Sequence, residues 1–257
     1  VLFRSVPVVW TTSVRPFPTN RKVIAAAAVF DQTRLHAALF NGSKLPGKGP
    51  WKNGDHVPKS LRPALIAAFN GGYELKHITG GYFTEGKMLK PLRKGHMTLG
   101  IRKDGLIVIG VYGTDLTNDG TWTSLRQNQP PVVLDGKSAV RKARGTYWGS
   151  DFGGETKNLR TAVCTRSDGR LMFVMMGKVD IGPFATGLVH MGCLTAMQLD
   201  QNGTWPFFAT FKGLGTTERK AVLLDQRMIR GERVLGASRK DFIALFAPDL
   251  LKPGVLG

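Results

Sequence analysis

The sequence predicts an α+β domain: strand-rich, single, with one or two helices packed on a mixed or antiparallel sheet. Three observations carry this. Short runs of β-branched and aromatic residues recur along the chain. Gly, Asn, Asp and Pro punctuate those runs. Helical periodicity is confined to one long segment and one short one. Gly (32) and Pro (14) lie together above ordinary usage, which fits many tight turns.

In chain order, residues 6–11, 22–30 and 35–40 read as strands, and Asn41-Gly42 as a turn. A Pro/Gly-rich loop covers 47–54, and the apolar run 63–69 breaks at Asn70-Gly71-Gly72. Apolar runs on both sides of Asp104-Gly105 predict a hairpin, and those around Asp168-Gly169 predict a second. Residues 129–134 read as a strand entering the turn Asp135-Gly136. From 182 to 197, Phe184, Leu188, Met191, Leu194 and Met197 recur at three or four residues, the spacing of a helix face. An apolar strand follows at 205–211. The end reads as strands at 221–224 and at Ile229, then a short helix over 239–246 closed by Pro248. No internal repeat or low-complexity linker interrupts this, so residues 6–250 are taken as one domain.

The 257 residues carry a formal charge of +18. Residues 1–128 hold +11 and residues 129–257 hold +7, so the surface is basic throughout and no tail concentrates the charge. Such a surface suits a phosphorylated or otherwise anionic partner. No RNA-binding aromatic signature or zinc-finger spacing accompanies it, so no specific nucleic acid is expected. The longest apolar run, 23–30, falls far short of the ~20 residues of a membrane span, so no transmembrane segment is expected. Cys164 and Cys193 lack neighbours at metal-ligand spacing and are read as two buried free thiols; the alternative, a single disulfide, would fit an exported protein. The chain starts at Val1 without a visible signal peptide, and its start reads as truncated. Residues 1–5 match one frame of a sequencing-adapter end and are read as an assembly artefact.

No G-x-S-x-G elbow, P-loop, H-E-x-x-H or helix-opening G-x-G-x-x-G is present. The five His are isolated, and His190 reads as a packing residue. Polar residues instead stand where apolar strands stop. Asn70 follows Leu65-Ile66-Ala67-Ala68-Phe69, and Gly71 and Gly72 permit positive φ and close approach of a ligand. Asp135 ends Val132-Val133-Leu134, Arg160 opens Thr161-Ala162-Val163, and Asp200 ends Met197-Gln198-Leu199, with Asn202 two residues on. Arg126, Gln127 and Asn128 precede the Asp135 strand. Each is turn or surface chemistry when taken alone. Together they place two Asp, two Arg and three Asn at the rim of a sheet, where a cleft forms.

Four runs in this order resemble the phosphodiester glycosidase family, that of the N-acetylglucosamine-1-phosphodiester α-N-acetylglucosaminidases. They are Ala67-Ala68-Phe69-Asn70-Gly71-Gly72-Tyr73, Arg126-Gln127-Asn128 with Val133-Leu134-Asp135-Gly136, Leu159-Arg160-Thr161-Ala162-Val163, and Ala196-Met197-Gln198-Leu199-Asp200-Gln201-Asn202. The likeness spans about residues 6–211 and is nearest to a bacterial branch whose last motif is Leu-Asp-x-Asn. Gln201, Asn202, Gly203 and Thr204 replace the glycine-rich run of the other branch, which leaves sugar, aglycone and anomer open.

The resemblance implies a hydrolase acting at the anomeric carbon of a sugar linked through a phosphodiester, secreted or in the cell envelope, on an anionic envelope or capsular glycan. It implies Asp200 and Asp135 as catalytic carboxylates, with Arg160 and Arg126 gripping the phosphate. Asn70, Gly71, Gly72, Asn128 and Asn202 would then bind substrate. Glu74 stands beside Asn70 but outside this first rank. No cofactor is required; a divalent metal beside clustered Asp and Asn stays open, though no ligand spacing demands one. A non-catalytic glycan-binding module of the same fold is the alternative.

Overall fold

The computed structural model describes residues 1–3, 6–141, 148, 156–201 and 203–256. Every pairing between its strands is antiparallel. A seven-stranded sheet runs in the order Lys137–Ser138, Val133–Leu134, Cys193–Gln201, Asn158–Arg166, Leu171–Val179, Ala25–Phe30, Val9–Val14. A five-stranded sheet runs Lys220–Leu223, Phe208–Lys212, Leu65–Asn70, Phe242–Phe246, His36–Phe40. A second five-stranded sheet runs Ile107–Val111, Met97–Arg102, Trp122–Gln127, Tyr82–Thr84, Lys87–Lys90. Leu2–Phe3 and Val6–Pro7 pair as a small two-stranded sheet of their own.

Alternation along the strands divides the seven-stranded sheet into two faces. Val163, Phe173 and Met175 point into the main core shared with the other two sheets. Ala162, Cys164, Met172, Val174 and Met176 point the other way, onto Ile181, Phe184 and Leu188 of Ile181–His190, the one α-helix among the described residues. Phe30, Phe69, Phe173 and Phe208 join the seven-stranded sheet to the first five-stranded one, with Phe69 and Phe208 stacked 6.1 Å apart.

Both Asp-Gly hairpins form as read: Gly105 (φ +83°) turns Met97–Arg102 into Ile107–Val111, and Gly169 (φ +75°) turns Asn158–Arg166 into Leu171–Val179. The helix expected over 182–197 stops at His190. Gly192 at φ +86° breaks it, and the next residues pair with Asn158–Arg166 as the strand Cys193–Gln201. The expected helix over 239–246 is instead a strand, Phe242–Phe246, inside its sheet between Leu65–Asn70 and the edge strand His36–Phe40. Its five residues are all buried, so a continuous apolar run, too short for a helix, reads as a two-face-buried strand. Ile229 falls outside any strand, ahead of the 3₁₀ turn Gly231–Leu235. The expectation of free thiols is also overturned: Cys164 and Cys193 are bonded across neighbouring strands.

That bond closes a loop with a sequence separation of 29, so it restricts the unfolded chain by about 2–4 kcal/mol. Cys164→Ser/Cys193→Ser should melt about 5–10 °C lower than the parent by calorimetry. An unchanged melting temperature would show that the bond does not constrain the fold.

Candidate functional site

In an antiparallel pair the C-terminal end of one strand lies beside the N-terminal end of the next. Asn70 therefore pairs with Phe242, which brings Asp241 beside Asn70-Gly71. Gln201 pairs with Arg160, which brings Asp200 to the same rim as Arg160. Arg126, next to last in its own strand in the third sheet, reaches across to Asp241.

The resulting cluster is buried: Asp200 is 2% exposed, Asp241 1%, Arg126 0% and Arg160 2%. Arg126 donates from Nε to Asp241 Oδ2 at 2.9 Å, from Nη1 to the Gln127 carbonyl and Asn128 Oδ1, and from Nη2 to the Tyr73 carbonyl. Asn128 Oδ1 also accepts from the Tyr73 amide at 3.2 Å. Arg160 donates to the carbonyls of Val179, Trp148 and Thr156 and to Gln201 Oε1. Asp200 Oδ1 accepts from the Gln201 amide at 2.7 Å, and Oδ2 accepts from Lys240 Nζ at 3.1 Å. Lys240 Nζ also lies 4.7 Å from the centre of the Trp205 ring. Tyr73, its hydroxyl bonded to Gln198, sits within electrostatic reach of both Asp200 and Arg160.

Burial pushes the Asp200 carboxyl above the usual carboxylate range, against the opposing pull of Lys240, the Gln201 amide and Arg126. Glu74 behaves oppositely. Partial burial pushes it up, but the bond to Lys76 and the charges of Lys240, Lys76 and His77 outweigh that and hold it below its usual value. Two carboxyls that share Lys240 as a neighbour are thus driven apart in proton affinity.

Of the residues expected from sequence, Asn70, Gly71, Gly72, Arg126, Asn128, Arg160 and Asp200 meet at this rim. Asp135 does not. It is an exposed residue at φ +50° in the turn between Val133–Leu134 and Lys137–Ser138. The Gly136 amide bonds the Leu194 carbonyl, six residues before Asp200 on one strand, so the turn lies about 20 Å along that strand from the Asp200 backbone. Asp135 is turn chemistry, where Asp tolerates positive φ. Asn202 lies outside the described residues.

The two arginines were expected to grip a phosphate, yet four of the five N–H groups of each are already committed to protein acceptors. Asn128 is likewise used by the protein, its Nδ2 facing the Gly71 carbonyl at 3.4 Å. Nor is the close approach at the glycines made by a ligand. A Cβ on Gly71 would collide with the Asp241 carboxylate, and one on Gly72, at φ +142°, with the Asn128 amide. Lys240, Asp241, Arg233 and Trp205 escaped the sequence reading. The available signal was the same one used elsewhere, a charged pair abutting an apolar run, here at the start of a strand.

Among the described residues, five of ten buried polar side-chain atoms lacking a partner belong here: Asn70 Nδ2, Gln198 Oε1, Arg233 Nε and Nη1, and Asp241 Oδ1. Such atoms are costly to leave unpaired, and their concentration at one place is the signature of a polar ligand site. No group of three or more His, Cys, Asp and Glu able to hold a metal ion occurs among the described residues. No described helix is long and apolar enough to cross a membrane.

The model of the phosphodiester glycosidase family matches residues 64–204, more than half of the chain and all four motif runs. Among solved structures, the chain resembles the catalytic domain of zebrafish N-acetylglucosamine-1-phosphodiester α-N-acetylglucosaminidase, auto-inhibited by its pro-peptide. The TM-score is 0.57 at 17% identity, over 95% of this chain and 85% of that one. It also resembles a hypothetical protein from Synechocystis (TM-score 0.51, 12% identity, 95% of this chain and 63% of that one). A Burkholderia pseudomallei protein described as exported is similar too (TM-score 0.50, 12% identity, 87% and 74%). No curated protein matches.

The Arg126–Asp241 pair is wholly buried, so breaking it strands a charge. Asp241→Asn and Arg126→Met should each lose about 3–5 kcal/mol in urea unfolding, while Arg126→Met/Asp241→Leu recovers part of the loss. Additive losses in the double variant would contradict the pairing.

Proposed function

We propose that the chain, which belongs to the phosphodiester glycosidase family, hydrolyses the bond between a sugar's anomeric carbon and phosphate in a sugar-1-phosphodiester, with an α-GlcNAc-1-phosphodiester as the nearest model substrate. The observation that carries the reading is Asp200. It is buried at a strand end, held by Lys240, and surrounded by unpartnered polar atoms. The basic surface and the Cys164–Cys193 disulfide support an exported enzyme acting on an anionic cell-envelope or capsular glycan.

The leaving group is a phosphate monoester, which departs without strong acid help. The anomeric carbon becomes oxocarbenium-like and needs a carboxylate beneath it, the role assigned to Asp200. Water attacks that carbon, the C–O bond to phosphate breaks with its electron pair going to the phosphate oxygen, and a carboxylate receives the water proton. Glu74 takes that second role in place of Asp135, because it follows Tyr73 at the rim and its neighbours hold it ionised. Arg126, Arg160 and Asn128 hold the Tyr73 and Asp200 segments in place, and Asn70 keeps a free donor for a substrate oxygen.

The burial of Asp200 equally suits a non-catalytic glycan-binding module of the same fold. Incubation with an α-GlcNAc-1-phosphodiester separates the two. The enzyme releases reducing sugar; the module binds and releases none. Asp200→Asn should lose at least ~10³-fold in turnover while remaining folded, whereas Asp135→Asn keeps parental turnover. Reversal of that order would overturn the assignment.

Asp200 must be ionised to stabilise positive charge. Its raised proton affinity places the acid limb of the kcat profile above the ~3.9 of an ordinary Asp. Lys240 opposes the rise, so Lys240→Met should move that limb to higher pH. A limb that stays in place or moves lower would show that Asp200 does not set it.

A further inference from the structure

The phosphate of the proposed substrate needs a cationic partner, and Arg126 and Arg160 are committed elsewhere. Arg233 is not. It lies in the 3₁₀ turn Gly231–Leu235, half-buried, and the one hydrogen bond of its side chain among the described residues runs from Nη2 to Ser238 Oγ at 3.3 Å. Its Nε and Nη1 are buried without partners. It forms no ion pair within the described residues, although Asp241 and Asp200 both lie within electrostatic reach. Those two carboxylates are already matched, Asp241 with Arg126 and Asp200 with Lys240.

The guanidinium lies against two aromatic rings. Its central carbon lies 4.8 Å from the Phe207 ring centre and 5.3 Å from that of Trp205. The Phe207 amide in turn donates to Asn70 Oδ1 at 3.2 Å, which leaves Asn70 Nδ2 as another unpartnered donor at the site. Lys240 shares the Trp205 ring and links the same corner to Asp200. A half-buried guanidinium set against two aromatic rings, with its Nε–H and Nη1–H groups unused, keeps charge-assisted donors for the oxygens of a phosphate.

Arg219 also leaves Nε and Nη1 unpartnered, but it sits at the far end of the Phe208–Lys212 strand. There its Nη2 donates to the Leu65 and Phe211 carbonyls, away from both carboxylates. Burial lowers the Arg233 guanidinium to about 10, so it stays charged at neutral pH and would gain from an anion.

We propose that Arg233, backed by Lys240 and Asn70 Nδ2, is the phosphate-binding and specificity-determining residue of this site, taking the non-bridging oxygens of a phosphate ester while Asp200 faces the sugar. This rests on the reading of the site as a sugar-1-phosphodiester hydrolase, and its test separates the two. Inorganic phosphate binding is measured by titration calorimetry on the parent, Arg233→Gln and Arg233→Lys. Sugar release from the phosphodiester is measured in parallel, with urea midpoints for each protein.

The parent should bind phosphate, Arg233→Gln should bind about 10- to 100-fold more weakly, and Arg233→Lys should fall between them. In turnover, Arg233→Gln should raise KM more than it lowers kcat. Phosphate binding lost in Arg233→Gln without sugar release by the parent would uphold the anion site and refute the hydrolase. Equal phosphate affinity in parent and Arg233→Gln, or none in the parent, would overturn the proposal. If Arg233→Gln has a lowered urea midpoint, the folded Arg233→Lys variant decides: parental phosphate affinity and parental KM there would overturn it as well.

Discussion

The buried ion pair between Arg126 and Asp241 is the constraint from which the rest of the site follows. Taking either charge out of water alone costs several kcal/mol, so each requires the other. The pair ties the sheet that carries Trp122–Gln127 to the sheet that carries Phe242–Phe246. It fixes Asp241 against the backbone of Gly71, which is why no side chain fits there. Its remaining donors hold Tyr73 and Asn128, so one guanidinium sets the path of the segment that also carries Glu74.

The second constraint is the antiparallel register. The neighbours of Asp241 and of Arg160 across their sheets are strand ends, so functional side chains from far-apart parts of the chain collect on one rim. Lys240, next in sequence to Asp241, is carried to Asp200 by the same placement and forms the cluster's second ion pair. Arg160 spends its donors on carbonyl and amide oxygens, which leaves Arg233, beside the aromatic pair Trp205 and Phe207, as the cluster's guanidinium with unused donors among the described residues. An unmatched cation next to an elevated carboxyl is an arrangement suited to a substrate that is a sugar on one side and an anion on the other.

Much of this was legible in the residues. The Asp-Gly hairpins, the strand ending at Asn70 and the strand ending at Asp200 are local signals, and local signals survive in the fold. The errors share a cause. Met191, Leu194 and Met197 keep helical spacing by coincidence, but Gly192 and a disulfide partner across the sheet impose a strand. Phe242–Phe246 is apolar on both faces, and periodicity cannot separate a buried strand from a helix in so short a run. Reading it as a helix also hid Lys240 and Asp241 as strand-end residues. Asp135 stands apart from the rim for the opposite reason: its Asp-Gly ends an apolar run as a turn between Val133–Leu134 and Lys137–Ser138. The commitment of Arg126 to protein acceptors has no sequence signature, because it depends on where the Tyr73 and Asp241 segments run.

The central claim is that chemistry at this rim occurs on carbon, with Asp200 facing the sugar. Hydrolysis of an α-GlcNAc-1-phosphodiester in H₂¹⁸O, read by mass spectrometry of both products, tests it directly. Label found in the released sugar is the predicted result. Label found in the phosphate would place the attack on phosphorus and contradict the account.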